Sequence, residues 1–158
     1  MEKLHLYKAV IQWTGNKGSG TDHYTHYERD YNIHIEHKQI INGSSDPAFR
    51  GDEKKYNPED LLLSALSSCH MLWYLHLCSV EGVVVEEYTD TATGKMEERK
   101  DGSGCFTEVV LNPRVIVSLE SMIPRATELH ATANQMCFIA NSVNFPIKHH
   151  PEIIVRKQ

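Results

Sequence analysis

The stretch Asn57-Pro58-Glu59-Asp60-Leu61-Leu62-Leu63-Ser64-Ala65-Leu66-Ser67-Ser68-Cys69-His70 constrains this chain most. Asn57 suits an N-cap, and Pro58 suits the first helical position, where a missing N–H costs nothing. Glu59 and Asp60 place negative charge in the first turn, where the helix dipole favours it. No turn signal follows until Gly82, a C′ residue by type. Leu61, Leu62, Leu63, Ala65, Leu66, Met71, Leu72, Trp73, Leu75 and Leu77 cover most directions around the axis. The pattern predicts a long helix buried nearly all round, with Cys69 well inside it.

A chain of 158 residues is expected to fold as one domain, residues 1–158. A net charge of -5 without a basic stripe argues against nucleic-acid binding. No signal peptide, transit peptide or membrane-length apolar run is read. Ser64, Ser67, Ser68, His70 and His76 interrupt the apolar run, which is therefore taken as a core helix rather than a membrane span. A helix this long exceeds what one small layer covers and hints at a dimer. Cys69, Cys78, Cys105 and Cys137 are widely and irregularly spaced, which argues against a disulfide scaffold. Reduced thiols and a cytoplasmic location are the expectation.

Strands are predicted over Leu4–Trp13, Thr21–Glu28 and Tyr31–Ile35, with Ile40-Ile41 as a short addition. After the helix come Val83–Thr93 and Lys95–Arg99 around a bulge at Gly94. A hairpin turn follows at Asp101-Gly102-Ser103-Gly104, then a strand over Phe106–Val117 kinked at Pro113. A second helix is predicted from about Pro124 to about Asn141, with Ala126, Leu129, Ala133, Met136, Cys137 and Ala140 on its inward stripe. A last strand covers Pro151–Val155. The fold class is α+β, an antiparallel sheet packed on helices.

Cys69 and Cys137 each fall on an expected central helix. Core helices pack about 8–10 Å apart, so facing cysteines can approach closely enough to bridge. Either both are small core residues or one is a reactive thiol with a resolving partner. Cys78, nine residues after Cys69, points to the opposite side and is read as structural. Cys105 follows the hairpin turn and is read as a strand end. A reactive thiolate needs a nearby cation, and Arg29 and Arg50 are the candidates. Glu59 is placed to orient such an arginine through a bidentate pair. Glu59 and Cys69 stand about 15 Å apart along one unbroken helix. Either the helix breaks after its first turn, or arginine and glutamate act on the cysteine of a second subunit. The histidines at His23-x-x-His26 and His34-x-x-His37 offer a weaker metal-binding alternative. His70 is read as a packing or hydrogen-bonded residue, and His149-His150 as exposed.

At Asn57-Pro58-Glu59-Asp60-Leu61-Leu62, Ser67-Ser68-Cys69 and Cys137, the chain resembles the OsmC/Ohr family of osmotically inducible and organic-hydroperoxide-resistance proteins. The strand-rich start and the Pro-x-Ile-Ile-Val ending fit as well. The resemblance implies a swapped homodimer, its sheets wrapped around two central helices per chain, with sites at the subunit interface. It implies thiol-dependent reduction of organic hydroperoxides, with Cys69 peroxidatic and Cys137 resolving. Glu59 would hold the activating arginine, with Arg50 the closest match and Arg29 still open. The chain departs from the family in carrying Phe138 where proline often follows the second cysteine.

The expected reaction is thiolate attack on a peroxide oxygen, sulfenic acid formation at Cys69, and condensation with Cys137 to a disulfide. A dithiol, in this family often a lipoyl dithiol, then restores both thiols. Leu66, Met71, Trp73 and Phe138 are candidates for an apolar wall that favours organic peroxides. No cofactor, metal, nucleic acid or membrane partner is expected. The alternative is a non-catalytic stress-response or small-molecule-binding protein of the same fold, with both cysteines as packing.

Overall fold

The computed structural model describes residues 3–156. The chain divides into two compact units, Met1–Leu61 and Leu62–Gln158. In the first, strands β1 (Val10–Trp13), β2 (Tyr31–His34) and β3 (Ile41–Gly43) form an antiparallel sheet in that order. The first strand is shorter than Leu4–Trp13. The predicted strand over Thr21–Glu28 is instead a run of turns. There Asn16 Oδ1 accepts from Gly18 and Gly20, and His26 N–H donates to the His23 carbonyl. Such local bonds offer the backbone an alternative to a sheet ladder. Past β3, Pro47–Phe49 forms a 3-10 turn capped by Asp46, whose carboxylate accepts from the Ala48 N–H at 2.7 Å.

Helix α1 runs without a break from Pro58 to Val80. Asn57 caps it as expected: its Oδ1 accepts the Asp60 N–H at 2.7 Å, while Asp60 accepts from the Asn57 N–H at 3.3 Å. At the other end Gly82 takes φ 72°, and the Val83 N–H reaches back to the Cys78 carbonyl at 2.8 Å. That six-to-one bond is a Schellman closure. Between the caps α1 departs from expectation. By length and composition it could cross a membrane. It is not buried all round either. One line, Leu66, His70, Tyr74 and Cys78, is buried, and the opposite line, Ser64, Ser68, Leu72 and His76, is exposed. The core of one chain covers only one side of the helix.

The second unit adds β4 (Val85–Asp90), β5 (Thr93–Glu98), β6 (Gly104–Leu111), β7 (Pro113–Val117), helix α2 (Ile123–Met136), β8 (Ile147–His149) and β9 (Glu152–Val155). They form two three-stranded sheets, β4-β7-β9 and β5-β6-β8. The hairpin at Asp101–Gly104 closes β5 on β6, with Gly102 at φ 81°. The expected bulge lies one residue beyond Gly94, between Lys95 and Met96. Thr91 and Ala92, rather than Gly94, separate β4 from β5. Pro113 starts a new strand in the other sheet instead of kinking one long strand.

The α+β class holds, but the sheets are not wholly antiparallel. The β6–β8 and β7–β9 pairings are parallel. Parallel neighbours need a long crossover, and α2 supplies it for both. Tyr74, Cys78, Val115, Val117, Ala126, Leu129 and Ala133 form one core, between α1, α2 and the β4-β7-β9 sheet. Leu66, Val109 and Leu111 centre a second under the β5-β6-β8 sheet.

Candidate functional site

The end of α2 brings the two cysteines together. The helix stops at Met136, short of Asn141, and Cys137 leaves it in an extended conformation at ψ 111°. A new turn begins there: the Asn141 N–H donates to the Cys137 carbonyl, and Ala140–Ser142 is 3-10. Cys137 is therefore a junction residue rather than part of the helix stripe. Its sulfur is buried and accepts the Ala140 N–H at 3.4 Å. The Cys69 side chain is its titratable neighbour. Burial, and then the neighbouring Cys69 thiol, push the Cys137 thiol up to about 11, against the pull of the Ala140 and Ile139 N–H groups. Cys137 is thus held as the neutral thiol beside a half-buried Cys69.

Helical spacing puts Leu72, Trp73 and His76 on the face of α1 that carries Cys69, and they line an open apolar cleft of about 290 Å³. Phe138 meets Trp73 edge-on at 5.7 Å between centroids. Trp73 and Phe138 therefore stand on the thiol side, as expected. Leu66 does not, being sealed in the core beneath the β5-β6-β8 sheet. Met71 lines a different cleft of about 420 Å³ with Leu63, Ser64, Ser67 and Asp90. Cys78 sits in the buried line of α1, where burial raises its thiol. Cys105 is exposed on β6, with an Arg99 guanidinium nitrogen 3.5 Å from its sulfur.

The first unit holds both candidate arginines. Arg29 is engaged by its own loop. Its two terminal nitrogens donate to the Tyr27 and Tyr24 carbonyls at 2.6 and 2.7 Å, and its guanidinium lies over both tyrosine rings. Arg50 closes the 3-10 turn in a left-handed conformation, φ 67°, with its guanidinium 5.8 Å from the Tyr24 ring. Gly51 must follow it, because a Cβ there would collide with the Ser45 carbonyl. The expected bond from Glu59 to either arginine is not formed among the described residues. Glu59 occupies the first turn of α1 without an ion-pair partner there.

Sequence reasoning missed a buried histidine cluster. His70, from α1, meets His130, from α2, through a ring-to-ring hydrogen bond, Nε2 to Nδ1, at 3.0 Å. His149, at the end of β8, closes on both rings at 5.7 and 6.3 Å between centroids. It is half-buried rather than exposed. Burial, then the neighbouring histidine charges, lower His70 to about 4 and His130 to about 3. His130 follows Ala126 by one turn on the inward face of α2, beside the apolar Leu129. That placement was its one sequence signal. Among the described residues no group of three or more His, Cys, Asp or Glu is arranged to hold a metal ion. His23 and His26 lie on the surface with ring centroids 4.8 Å apart and planes tilted by 40°.

The chain belongs to the OsmC-like protein family, whose model matches residues 51–152. It is 30% identical to an OsmC-like protein of unknown function from Vibrio cholerae, covering 94% of this chain and 100% of that one, with a TM-score of 0.84. It shares its fold with an organic hydroperoxide resistance protein from Elizabethkingia anophelis at 18% identity, TM-score 0.70, covering 99% and 100%. An organic hydroperoxide resistance protein OsmC from Legionella pneumophila matches at 14% identity, TM-score 0.70, covering 98% and 100%. No curated protein matches.

Proposed function

We propose that this protein reduces organic hydroperoxides through Cys69 and Cys137 in a peroxide-resistance role. The observation that carries the reading is that α1 and the end of α2 bring two free cysteines together, with Cys137 buried beside Cys69. The Cys69 thiolate attacks the terminal oxygen of ROOH, the O–O bond breaks, and RO⁻ leaves and takes a proton to become ROH. Cys69 is left as the sulfenic acid. Cys137 then condenses with it, forming the disulfide and releasing water. An external dithiol of the lipoyl type returns both thiols by exchange. The Trp73–Phe138 contact offers an apolar seat for the alkyl group beside Cys69.

Arg50 is the arginine we assign to the thiolate, because Arg29 is already committed to its own loop carbonyls. Since α1 is unbroken, Glu59 and Arg50 would serve the Cys69 of a second copy in a homodimer. The exposed line through Leu72 and the exposed Phe138 support a covering copy. Four free thiols fit a reducing, cytoplasmic setting.

The test is peroxide consumption by the reduced protein, with cumene hydroperoxide against hydrogen peroxide, for wild type, Cys69→Ser and Cys137→Ser. Turnover of the organic peroxide should vanish in Cys69→Ser, and a sulfenic acid should be trapped in Cys137→Ser. Equal, slow oxidation of all three proteins would overturn the reading in favour of a non-catalytic binding protein.

A further inference from the structure

The histidine pair is a costly way to pack two helices. Both rings are sealed, His70 at 1% and His130 at 0% exposure. They share one hydrogen bond, and whichever ring donates, the outer nitrogens remain. Among the described residues His70 Nδ1 and His130 Nε2 are both buried without a protein partner, as is His149 Nδ1 beside them. Unpartnered buried polar atoms cost stability, and apolar side chains of similar size would fill the space without that cost. What a hydrogen bond adds is direction. Apolar surfaces can slide past one another, whereas a ring-to-ring bond at 3.0 Å fixes one point on α1 against one point on α2.

Those two points flank the thiols. His70 directly follows Cys69 on α1, and Cys137 lies seven residues beyond His130. Seven helical residues span about 10 Å, so Cys137 rides at the end of a lever pivoting at His130. A tilt of about 10° at the pivot would move the lever's end by about 2 Å. A disulfide needs its Cβ atoms about 3.5–4.5 Å apart, so a shift of that size decides whether the bond can close. Tyr74, one turn along α1, stacks on the His130 ring at 3.9 Å between centroids and so adds a second contact at the pivot.

We propose that the His70–His130 bond is a positioning pair for the thiols, setting the crossing of α1 and α2 that delivers Cys137 to Cys69. The inference rests on the proposed pairing of these cysteines but not on peroxide as the oxidant.

The experiment equilibrates the full-length protein with glutathione buffers, where protein dithiol and GSSG give the protein disulfide and two GSH. The Cys69–Cys137 disulfide is quantified by mass mapping for wild type, His130→Ala, His130→Gln and the packing control Val117→Ala. His130→Ala should lower the equilibrium constant at least tenfold. His130→Gln, which restores a side chain able to bond His70, should recover most of it. Val117→Ala, which removes buried packing but no hydrogen bond, should lower the urea midpoint and leave the constant unchanged. Should His130→Ala not fold, His70→Asn, too short to reach His130, is read in its place. A constant within twofold of wild type in the folded variant overturns the proposal. So does an equal loss in Val117→Ala. If wild type forms the disulfide with glutathione but turns over no peroxide, the enzyme reading fails and the positioning pair stands. If wild type forms no disulfide at all, both fall.

Discussion

His130 lies flat on Tyr74, with ring centroids 3.9 Å apart and planes 14° from parallel. The stack puts a titratable ring where water cannot reach it, facing His70, His149 and the equally buried Tyr74, whose phenol burial pushes up. The cluster should make the protein acid-sensitive. His70 near 4 and His130 near 3 stay neutral in the fold, whereas in the unfolded chain both take a proton near pH 6.5. The unfolded state therefore binds more protons below that pH. Stability is complete above about pH 6.5 and falls as the pH drops toward 4, by at most about 1.4 kcal/mol per pH unit for each ring. Urea unfolding at pH 7.5, 6, 5 and 4.5 should show the decline, and His130→Gln should remove one histidine's share of the slope. A flat wild-type profile would refute the account.

Asn57→Ala should cost about 1 kcal/mol, the usual loss of an N-cap. Here the cap is reciprocal with Asp60, so Asp60→Ala should cost less, since it leaves the Asn57 side of the box intact. Urea midpoints of the two variants give the comparison.

Gly82→Ala should also destabilise by about 1 kcal/mol, for a different reason. A Cβ at this position meets no atom within 4 Å. The cost is the left-handed backbone at φ 72° alone. Gly82→Asn should therefore recover part of the loss, because asparagine tolerates that region better than alanine does. Equal midpoints for the alanine and asparagine variants would contradict a purely conformational cost.

These caps show which parts of the fold were legible in the sequence. Asn57, Pro58 and Gly82 act within a few residues of themselves, so their identities announce both ends of α1. The end of α2 was not legible, because helical spacing continues through Cys137 and Ala140 while the backbone turns out at Cys137. The parallel pairings and the three-residue β8 depend on a crossover, which local pattern does not encode. In the site, Cys69 was legible as a thiol on α1, whereas Cys137, read as helical, lies in the junction just past α2. The histidine cluster was not legible, since residues 70, 130 and 149 meet only after α1, α2 and β8 have packed. The continuous burial expected for α1 failed because composition reports how apolar a helix is, not how much of it one chain covers.

Arg50 gives a prediction in which stability and reactivity part company. Its backbone sits at φ 67°, a region costing an L-residue roughly 1–2 kcal/mol and glycine almost nothing. Arg50→Gly removes the guanidinium and the strain together. The variant should unfold at an equal or higher urea midpoint than wild type, while oxidation of Cys69 by cumene hydroperoxide slows by about tenfold or more, as expected when a positioned cation is removed from a developing oxyanion. Arg29→Ala should behave in the opposite sense. Its guanidinium ties the Tyr24 and Tyr27 carbonyls, so its loss should lower the midpoint, and any slowing should follow from loosening of that loop. Stopped-flow oxidation rates and urea midpoints on the same samples separate the two arginines. Unchanged Cys69 oxidation in a folded Arg50→Gly would return the activating role to Arg29.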